Sequence, residues 1–176
     1  KMIALSFDDG PNSPYTEALL AVLAKHQISV TFFNLGKNLE KFPDLGKAIV
    51  AAGHTLGNHA YSHNFFQYFI NPSLSKEIIK TQSIIFSATG KKAALFRSPW
   101  LIRNPSLFKA VKNNGLTPAG GLFGSQKEIW QPDASILFRD ALKQAAPGVI
   151  LVFHDGYDTL ARKLHGTSRG ETVKAI

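Results

Sequence analysis

A chain of 176 residues with 44% hydrophobic and 18% charged side chains can bury one substantial core, and no apolar run reaches the length of a membrane span. With no cysteine, disulfides and thiolate ligands are excluded, so any metal site must use His, Asp or Glu. The formal net charge of +8 favours anionic surroundings, yet only Lys91-Lys92 and Arg162-Lys163 are adjacent, which argues against a nucleic-acid patch and for a basic surface facing an anionic matrix.

The first strand, Met2 to Phe7, is short and apolar, as a strand buried on both faces reads, and it stops on Asp8-Asp9-Gly10-Pro11. Two ionised carboxylates there repel each other and are costly to bury, so a metal ion or an arginine is expected beside them. Ser13-Pro14 offers an N-cap and a first-turn proline to a helix in which Leu19, Leu20, Val22 and Leu23 keep helical spacing as far as His26. A β-branched and aromatic run, Ile28 to Leu35, predicts the second strand, closed by Gly36. A second helix is predicted from Pro43 to Ala52 with Gly53 as its stop, and His54 to Gly57 as a short strand. An irregular stretch over 58–72 precedes the longest helix, Ser73 to Thr89. Ala93 to Phe96 is strand-like and leads into Arg97-Ser98-Pro99-Trp100. A helix from Pro105 to Asn114 and a weak strand from Leu116 to Gly121 follow. An irregular segment to Gln131 gives way to a helix from Pro132 to Ala145 and to the clearest strand, Val149 to Phe153, which ends at His154-Asp155-Gly156. A polar loop and a helix start complete the chain, and no internal repeat is present.

Strand and helix alternate about six times, which predicts a parallel α/β fold with its function at the C-terminal strand ends. The polar, reactive residues fall there: Asp8 and Asp9, His59 and His63, Arg97, and His154. Four separated strand ends converge in a barrel and not in an open sheet, so the expected fold is a distorted, incomplete (β/α) barrel of six to seven parallel strands. Residues 1–176 are read as a single catalytic domain. Because the chain starts on a core strand and stops at Lys174-Ala175-Ile176 within helical sequence, a removed upstream segment and a missing closing strand are expected.

His59 and His63 stand four apart; on a helical turn that spacing puts both imidazoles on one side, as in other His-x-x-x-His metal sites. A carboxylate from the Asp8-Asp9 pair completes two His and one Asp with open positions, the pattern of a catalytic metal site. Adjacent strand residues point to opposite sides, so one carboxylate can bind metal while the other stays free as a base. Arg97 reads either as a surface arginine or as a bidentate partner fixing a carboxylate. His154 reads either as a buried structural histidine or as a proton donor. Aromatics crowd the third loop (Tyr61, Phe65, Phe66, Tyr68, Phe69), while Trp100 and Trp130 are the better candidates for stacking on sugar rings.

Ser6-Phe7-Asp8-Asp9-Gly10, Asn58-His59-Ala60-Tyr61-Ser62-His63, Phe96-Arg97-Ser98-Pro99-Trp100 and Val152-Phe153-His154-Asp155 together resemble the motifs of the polysaccharide deacetylases of carbohydrate esterase family 4, in order and spacing. The resemblance implies one divalent metal, zinc first with cobalt, manganese or nickel as alternatives, bound by Asp9, His59 and His63. It implies Asp8 as general base oriented by Arg97, His154 as general acid, and the Trp100 backbone N–H beside Pro99 at the oxyanion. The implied activity is hydrolysis of N-acetyl groups from peptidoglycan or chitin-type polysaccharide by an extracellular or envelope monomer. The alternatives are a xylan O-acetyl esterase and a weakly active sugar-binding pseudoenzyme. A phosphoesterase is disfavoured, since neither a second metal set nor a phosphate-cradling loop is visible.

Four departures from the family pattern stand out. Ala60 replaces a hydroxyl residue, removing a hydrogen bond behind a ligand; Leu101 replaces a glycine, which narrows or reshapes the groove; and Val152 replaces a leucine beside the acetyl pocket. An Asp-Trp segment that tunes the acid histidine is unrecognisable within 121–130, where Glu128 and Trp130 are the candidates to replace it.

Overall fold

The computed structural model describes residues 2–68, 71–157, 166 and 168–176. Its strands are β1 (Ala4–Asp8), β2 (Thr31–Asn34), β3 (Thr55–Asn58), β4 (Leu95–Phe96), β5 (Thr117–Pro118), β6 (Leu122–Phe123) and β7 (Ile150–His154). Its described α-helices are α1 (Tyr15–Lys25), α2 (Gly36–Lys41), α3 (Pro43–Ala51), α4 (Asn71–Thr89), α5 (Pro105–Asn113), α6 (Ala134–Gln144) and α7 (Gly170–Ala175). No described helix is long and apolar enough to cross a membrane. The polar loop expected after Gly156 and the aromatic Phe69 fall largely or wholly outside the described residues.

All seven strands are parallel, in the spatial order β5-β4-β3-β2-β1-β7-β6. β5 and β6 sit on opposite edges, yet only Ala119, Gly120 and Gly121 separate them in sequence. A link of that length spans at most about 14 Å, so the sheet must curl until its edges almost meet. The result is the expected α/β incomplete barrel, with seven strands. The link also explains why the segment 116–121 is not one strand: Pro118 ends pairing on one edge, and the chain crosses the barrel to begin pairing on the other.

Phe7 lies at the centre, stacked on Phe32 at 5.4 Å and Phe153 at 6.1 Å between ring centroids. Its neighbours Ser6 and Asp8 point to the other face, the barrel interior, because strand side chains alternate. In register with them are Phe33 on β2 and Val152 and His154 on β7. The helices cover the outside with stripes at helical spacing, such as Leu74, Ile78, Ile85 and Ala88 on α4 and Leu107, Ala110 and Val111 on α5. Fully burying each large apolar side chain contributes about 1.5–3 kcal/mol.

Three local features differ from the sequence expectation. α2 occupies a stretch where Gly36 was expected only to close a strand; six residues are too few to show a helical period. Gly36 is required for packing instead, since a Cβ there would lie 2.5 Å from Thr81 Oγ1. α1 starts at Tyr15, with Pro14 in the cap position, while the Ser13 hydroxyl donates to Glu17 Oε1 (2.7 Å). A 3-10 turn, Phe65–Tyr68, orders part of the stretch read as irregular.

The bridging link tests this architecture. A Cβ on Gly121 would lie 2.4 Å from Val152 Cγ2 and 3.1 Å from Ile150 O. Gly121→Ala should therefore destabilise the protein by about 1–3 kcal/mol, the usual cost of overpacking. A guanidinium melt should show a lower midpoint at unchanged slope; an unchanged midpoint would mean the link does not press on β7.

Candidate metal centre and active site

Strands β1 and β7 end level, with Asp8 opposite His154, and β4 delivers Arg97 one residue after Phe96. Arg97 is fully buried in the barrel. Its Nη1 donates to Asp8 Oδ1 (2.8 Å) and Ser6 Oγ (2.7 Å), and its Nη2 donates to Gly120 O (2.8 Å). The guanidinium also lies 4.1 Å from the centre of the Phe33 ring. The fork is thus spread over three partners and is not the bidentate clamp expected, because Ser6, two residues before Asp8 on the same face, takes one of its positions.

Asp9 lies beyond the strand, and its φ of 69° turns it into the left-handed region. That turn, not strand alternation, makes the two carboxylates differ. Asp9 Oδ1 is buried and has no hydrogen-bond partner among the described residues. It faces His59 Nε2 at 3.3 Å and His63 Nε2 at 3.5 Å. The ligand atoms of Asp9, His59 and His63 all lie within 4.8 Å of one another. Tetrahedral zinc bonds of 2.0–2.1 Å place two ligands about 3.3 Å apart, so the spacing suits such an ion. His59 Nδ1 sits 2.8 Å from Arg97 O, and a carbonyl only accepts, so Nδ1 carries the proton. The Nε2 lone pair of neutral His59 then points at an anionic oxygen, an arrangement a cation relieves. These residues therefore fit a divalent metal. Burial alone raises the Asp9 pKa, but the imidazoles of His63, His59 and His154, when protonated, outweigh it and hold the carboxyl well below the usual carboxylate range.

The segment carrying the histidines is not helical, contrary to the reasoning from spacing. Ala60, at φ 64°, reverses the chain so that the rings still meet at 5.6 Å between centroids. Ala60 N donates to Asn58 Oδ1 (2.8 Å), while Gly36 N and Lys37 N donate to the carbonyls of Ala60 (2.9 Å) and Tyr61 (3.1 Å). Glu77 Oε2 on α4 accepts from Tyr61 N (3.2 Å), Ser62 N (2.6 Å) and Ser62 Oγ (3.0 Å). Nothing in the sequence marked Glu77, one charged residue among several on a long helix. Because His59 already has the Arg97 carbonyl, the missing hydroxyl at Ala60 leaves its Nδ1 satisfied.

His154 Nδ1 pairs with Glu128 Oε2 at 2.8 Å, and its backbone N–H donates to Glu128 Oε1 (2.8 Å), which also accepts from Thr172 Oγ1 (2.9 Å). Burial works to lower the His154 pKa, but the Glu128 carboxylate and its hydrogen bond prevail, and the pKa is pushed up to about 9. Asp155 is buried beneath the Asp9-Gly10 turn and accepts from Thr16 Oγ1 (2.6 Å). Burial, helped by Asp9 and Asp8 against that hydrogen bond, pushes its carboxyl up to about 7. A Cβ on Gly10 would lie 2.2 Å from this carboxylate, so only glycine fits.

Asp8, Asp9, His59, His63 and His154 line one cavity of about 330 Å³, together with Trp100, Leu101, Phe123 and Glu128. Trp100 packs on His63 at 4.6 Å, and Phe123 stacks on His154 at 6.0 Å. Trp100 and Leu101 both adopt left-handed φ (60° and 50°), at a cost of roughly 1–2 kcal/mol each for non-glycine residues. Of the remaining residues singled out, Pro99 is buried under this turn, Val152 is buried behind Gly121, and Trp130 is 64% exposed outside the cavity walls.

A family model described as polysaccharide deacetylase matches residues 1–119. A peptidoglycan-N-acetylglucosamine deacetylase of Bacillus cereus is 29% identical over all of this chain and 78% of its own length. A chitooligosaccharide deacetylase of Rhizobium leguminosarum bv. trifolii is 32% identical over 88% of this chain and 71% of its own. Among solved structures, a family 4 acetyl xylan esterase from Clostridium thermocellum in complex with a cobalt ion superposes with a TM-score of 0.84 at 27% identity, covering 99% of this chain and 80% of that one. A family pseudoenzyme from Bacillus anthracis superposes with a TM-score of 0.86 at 22% identity, over 99% of this chain and 57% of that one, and shows a shared fold.

Two outcomes are expected from this geometry. Glu77→Ala should weaken zinc binding by metal-stripped protein about tenfold or more, the usual scale for groups that orient ligands, with Glu77→Gln closer to wild type. Calorimetric titration measures it, and equal affinities would show that the loop is held without Glu77. The Glu128–His154 pair stabilises the fold fully below the unfolded pKa of 6.5 and loses that contribution as pH rises through about 9. In Glu128→Gln, an NMR titration of the His154 ring should move to lower pH; an unmoved midpoint would assign the shift to other groups.

Proposed function

The chain belongs to the polysaccharide deacetylases of carbohydrate esterase family 4, and from that premise we propose that it removes N-acetyl groups from N-acetylglucosamine units of a polysaccharide, peptidoglycan first, releasing acetate. The observation that carries this reading is the gathering, in one cavity, of the Asp9-His59-His63 cluster with Asp8 and His154. Names of relatives that act on peptidoglycan and on chitooligosaccharide support the substrate class. A peptidoglycan substrate puts the enzyme at the cell envelope, and its +8 charge suits an anionic wall.

Asp9, His59 and His63 would hold one divalent metal, zinc first by ligand type, which when bound supplies a Lewis acid for the acetamide carbonyl and lowers the pKa of water. Arg97 occupies Asp8 Oδ1, which leaves Oδ2 as the general base that takes a proton from the attacking water. The Trp100 backbone N–H is assigned to the oxyanion. As the C–N bond breaks, the nitrogen takes a proton from the imidazolium of His154, so water and amide become acetate and a free sugar amine. An amine leaves poorly without a proton, and the Glu128 carboxylate keeps that proton available at neutral pH. Glu128 also supplies the acid's carboxylate partner, and this supports turnover over a pseudoenzyme. A xylan O-acetyl esterase is the second reading, favoured by likeness to the Clostridium thermocellum structure.

Acetate release should be measured on peptidoglycan, chitooligosaccharides and acetylxylan, with and without chelator. Release from the first two, lost with chelator and restored by zinc, is expected; release from acetylxylan alone would favour the second reading. Asp8→Asn should lower turnover by roughly 10²-fold or more while metal content persists. Loss of metal in Asp8→Asn and not in Asp9→Asn would reverse the two roles. His154→Ala should lose most amide activity yet keep much of its activity on an aryl acetate, whose phenolate leaves unaided. Equal losses on both substrates, in a folded and metal-loaded variant, would rule out the acid.

A further inference from the structure

We propose that a second cavity beside the catalytic one binds a carboxylate carried by the sugar next to the N-acetylglucosamine being deacetylated. This inference rests on the deacetylase reading and narrows its substrate. The second cavity has a volume of about 270 Å³ and shares one wall, Leu101, with the first. Both open at the C-terminal ends of the strands, since the second is framed by residues that follow β4 and β5. Its walls are apolar, with Phe96, Ile102, Phe108 and Pro118 among them, and among the described residues its lining contains one cation, Arg103, and no acid.

Arg103 differs from Arg97 in its charge balance. Arg97 donates to Asp8, whereas no described residue gives Arg103 an ion pair or a hydrogen bond. The two guanidiniums flank one residue of the bridging link: Gly120 O accepts from Arg97 Nη2 at 2.8 Å, and a Cβ on Gly120 would stand 3.3 Å from Arg103 Nη2. Arg103, itself exposed, thus lies against the Gly120 main chain at the edge of a hydrocarbon-lined hollow. A guanidinium in such a setting selects a planar carboxylate over a neutral hydroxyl. Strands of peptidoglycan alternate N-acetylglucosamine with a sugar bearing a lactyl ether, whose methyl and carboxylate match apolar walls and one arginine. The same carboxylate chemistry is offered by acidic residues of the peptide that caps the lactyl group. Chitin-type polymers carry neither. Leu101, held at φ 50°, keeps the acetyl and acid sites apart.

The test compares kcat/KM for acetate release from three substrates: neutral tetra-N-acetylchitotetraose, a peptidoglycan tetrasaccharide with free lactyl carboxylates, and the same glycan bearing its peptides. Wild type, Arg103→Gln and Lys112→Gln, an equal charge change at an exposed position on α5, are assayed in parallel. Arg103→Gln should lose about tenfold or more on carboxylate-bearing substrate, the scale of a charged hydrogen bond. It should match wild type on chitotetraose, and Lys112→Gln should show no selective loss. A loss confined to the free lactyl glycan identifies the lactyl acid; a loss confined to the peptide-bearing glycan identifies the peptide acids. Equal losses on all three substrates, no loss on any, or the same selective loss in Lys112→Gln would overturn the inference. Wild-type activity on chitotetraose alone would also overturn it, while leaving the deacetylase reading intact. No acetate from any substrate would remove that reading, and this inference with it.

Discussion

A fully buried arginine in the middle of a barrel tolerates little variation around it. Arg97 reaches from the end of β4 across the interior to Asp8 on β1, to Ser6 below it and to the carbonyl of Gly120 in the link between the sheet edges. Removing one partner of such a pair leaves an uncompensated charge in low dielectric, at a cost of about 3–5 kcal/mol. The interaction therefore ties the curvature of the sheet to the placement of a reactive carboxylate. Its Nη2 bond to the link also helps to explain the glycines there, since side chains at Gly120 and Gly121 would approach Arg103, Val152 and Arg97.

Around this pair the backbone carries local strain. Asp9, Ala60, Trp100 and Leu101 are all non-glycine residues at positive φ, and all adjoin or line the catalytic cavity. Such conformations persist only where surrounding contacts overdetermine them. Asn38 Nδ2 donates to Asp9 O (2.6 Å), Asn58 and Glu77 pin the segment between the histidines, and Leu101 N donates to Ser98 O (3.0 Å). The candidate ligand set is thus held in advance, so a metal would meet little reorganisation on binding.

The two cavities at this end of the barrel differ in electrostatic character. In the catalytic one Asp8 faces Arg97, Asp9 faces two imidazoles and His154 faces Glu128, while the Arg169 guanidinium donates to the carbonyls of Gly156 and Ser168. Balanced charges of this kind suit proton transfer on a neutral amide. The neighbouring cavity has, among the described residues, a guanidinium and no counter-charge, which suits recognition of an anion.

Much of this was legible in the chain itself. Apolar runs ending in Asp8-Asp9, in Arg97 and in His154 announced parallel strands whose C-terminal ends carry chemistry, because strand periodicity and turn residues are local properties. The spacing of His59 and His63 pointed to a metal, although for the wrong geometric reason: a left-handed turn at Ala60 brings the rings together, and backbone sign is invisible in an alanine. Glu128 could be named as a candidate partner of His154 but its register could not be fixed, since it lies 26 residues away and meets it through the packing of α7 and the 3-10 turn over Glu128–Trp130. Trp130, equally plausible in sequence, turned outward, and Glu77 carried no signal at all. Residue type and local pattern determined which groups are candidates for chemistry and at which strand ends they stand. Only the closed three-dimensional packing decided which of them touch, because long-range hydrogen bonds depend on distances that sequence separation does not encode.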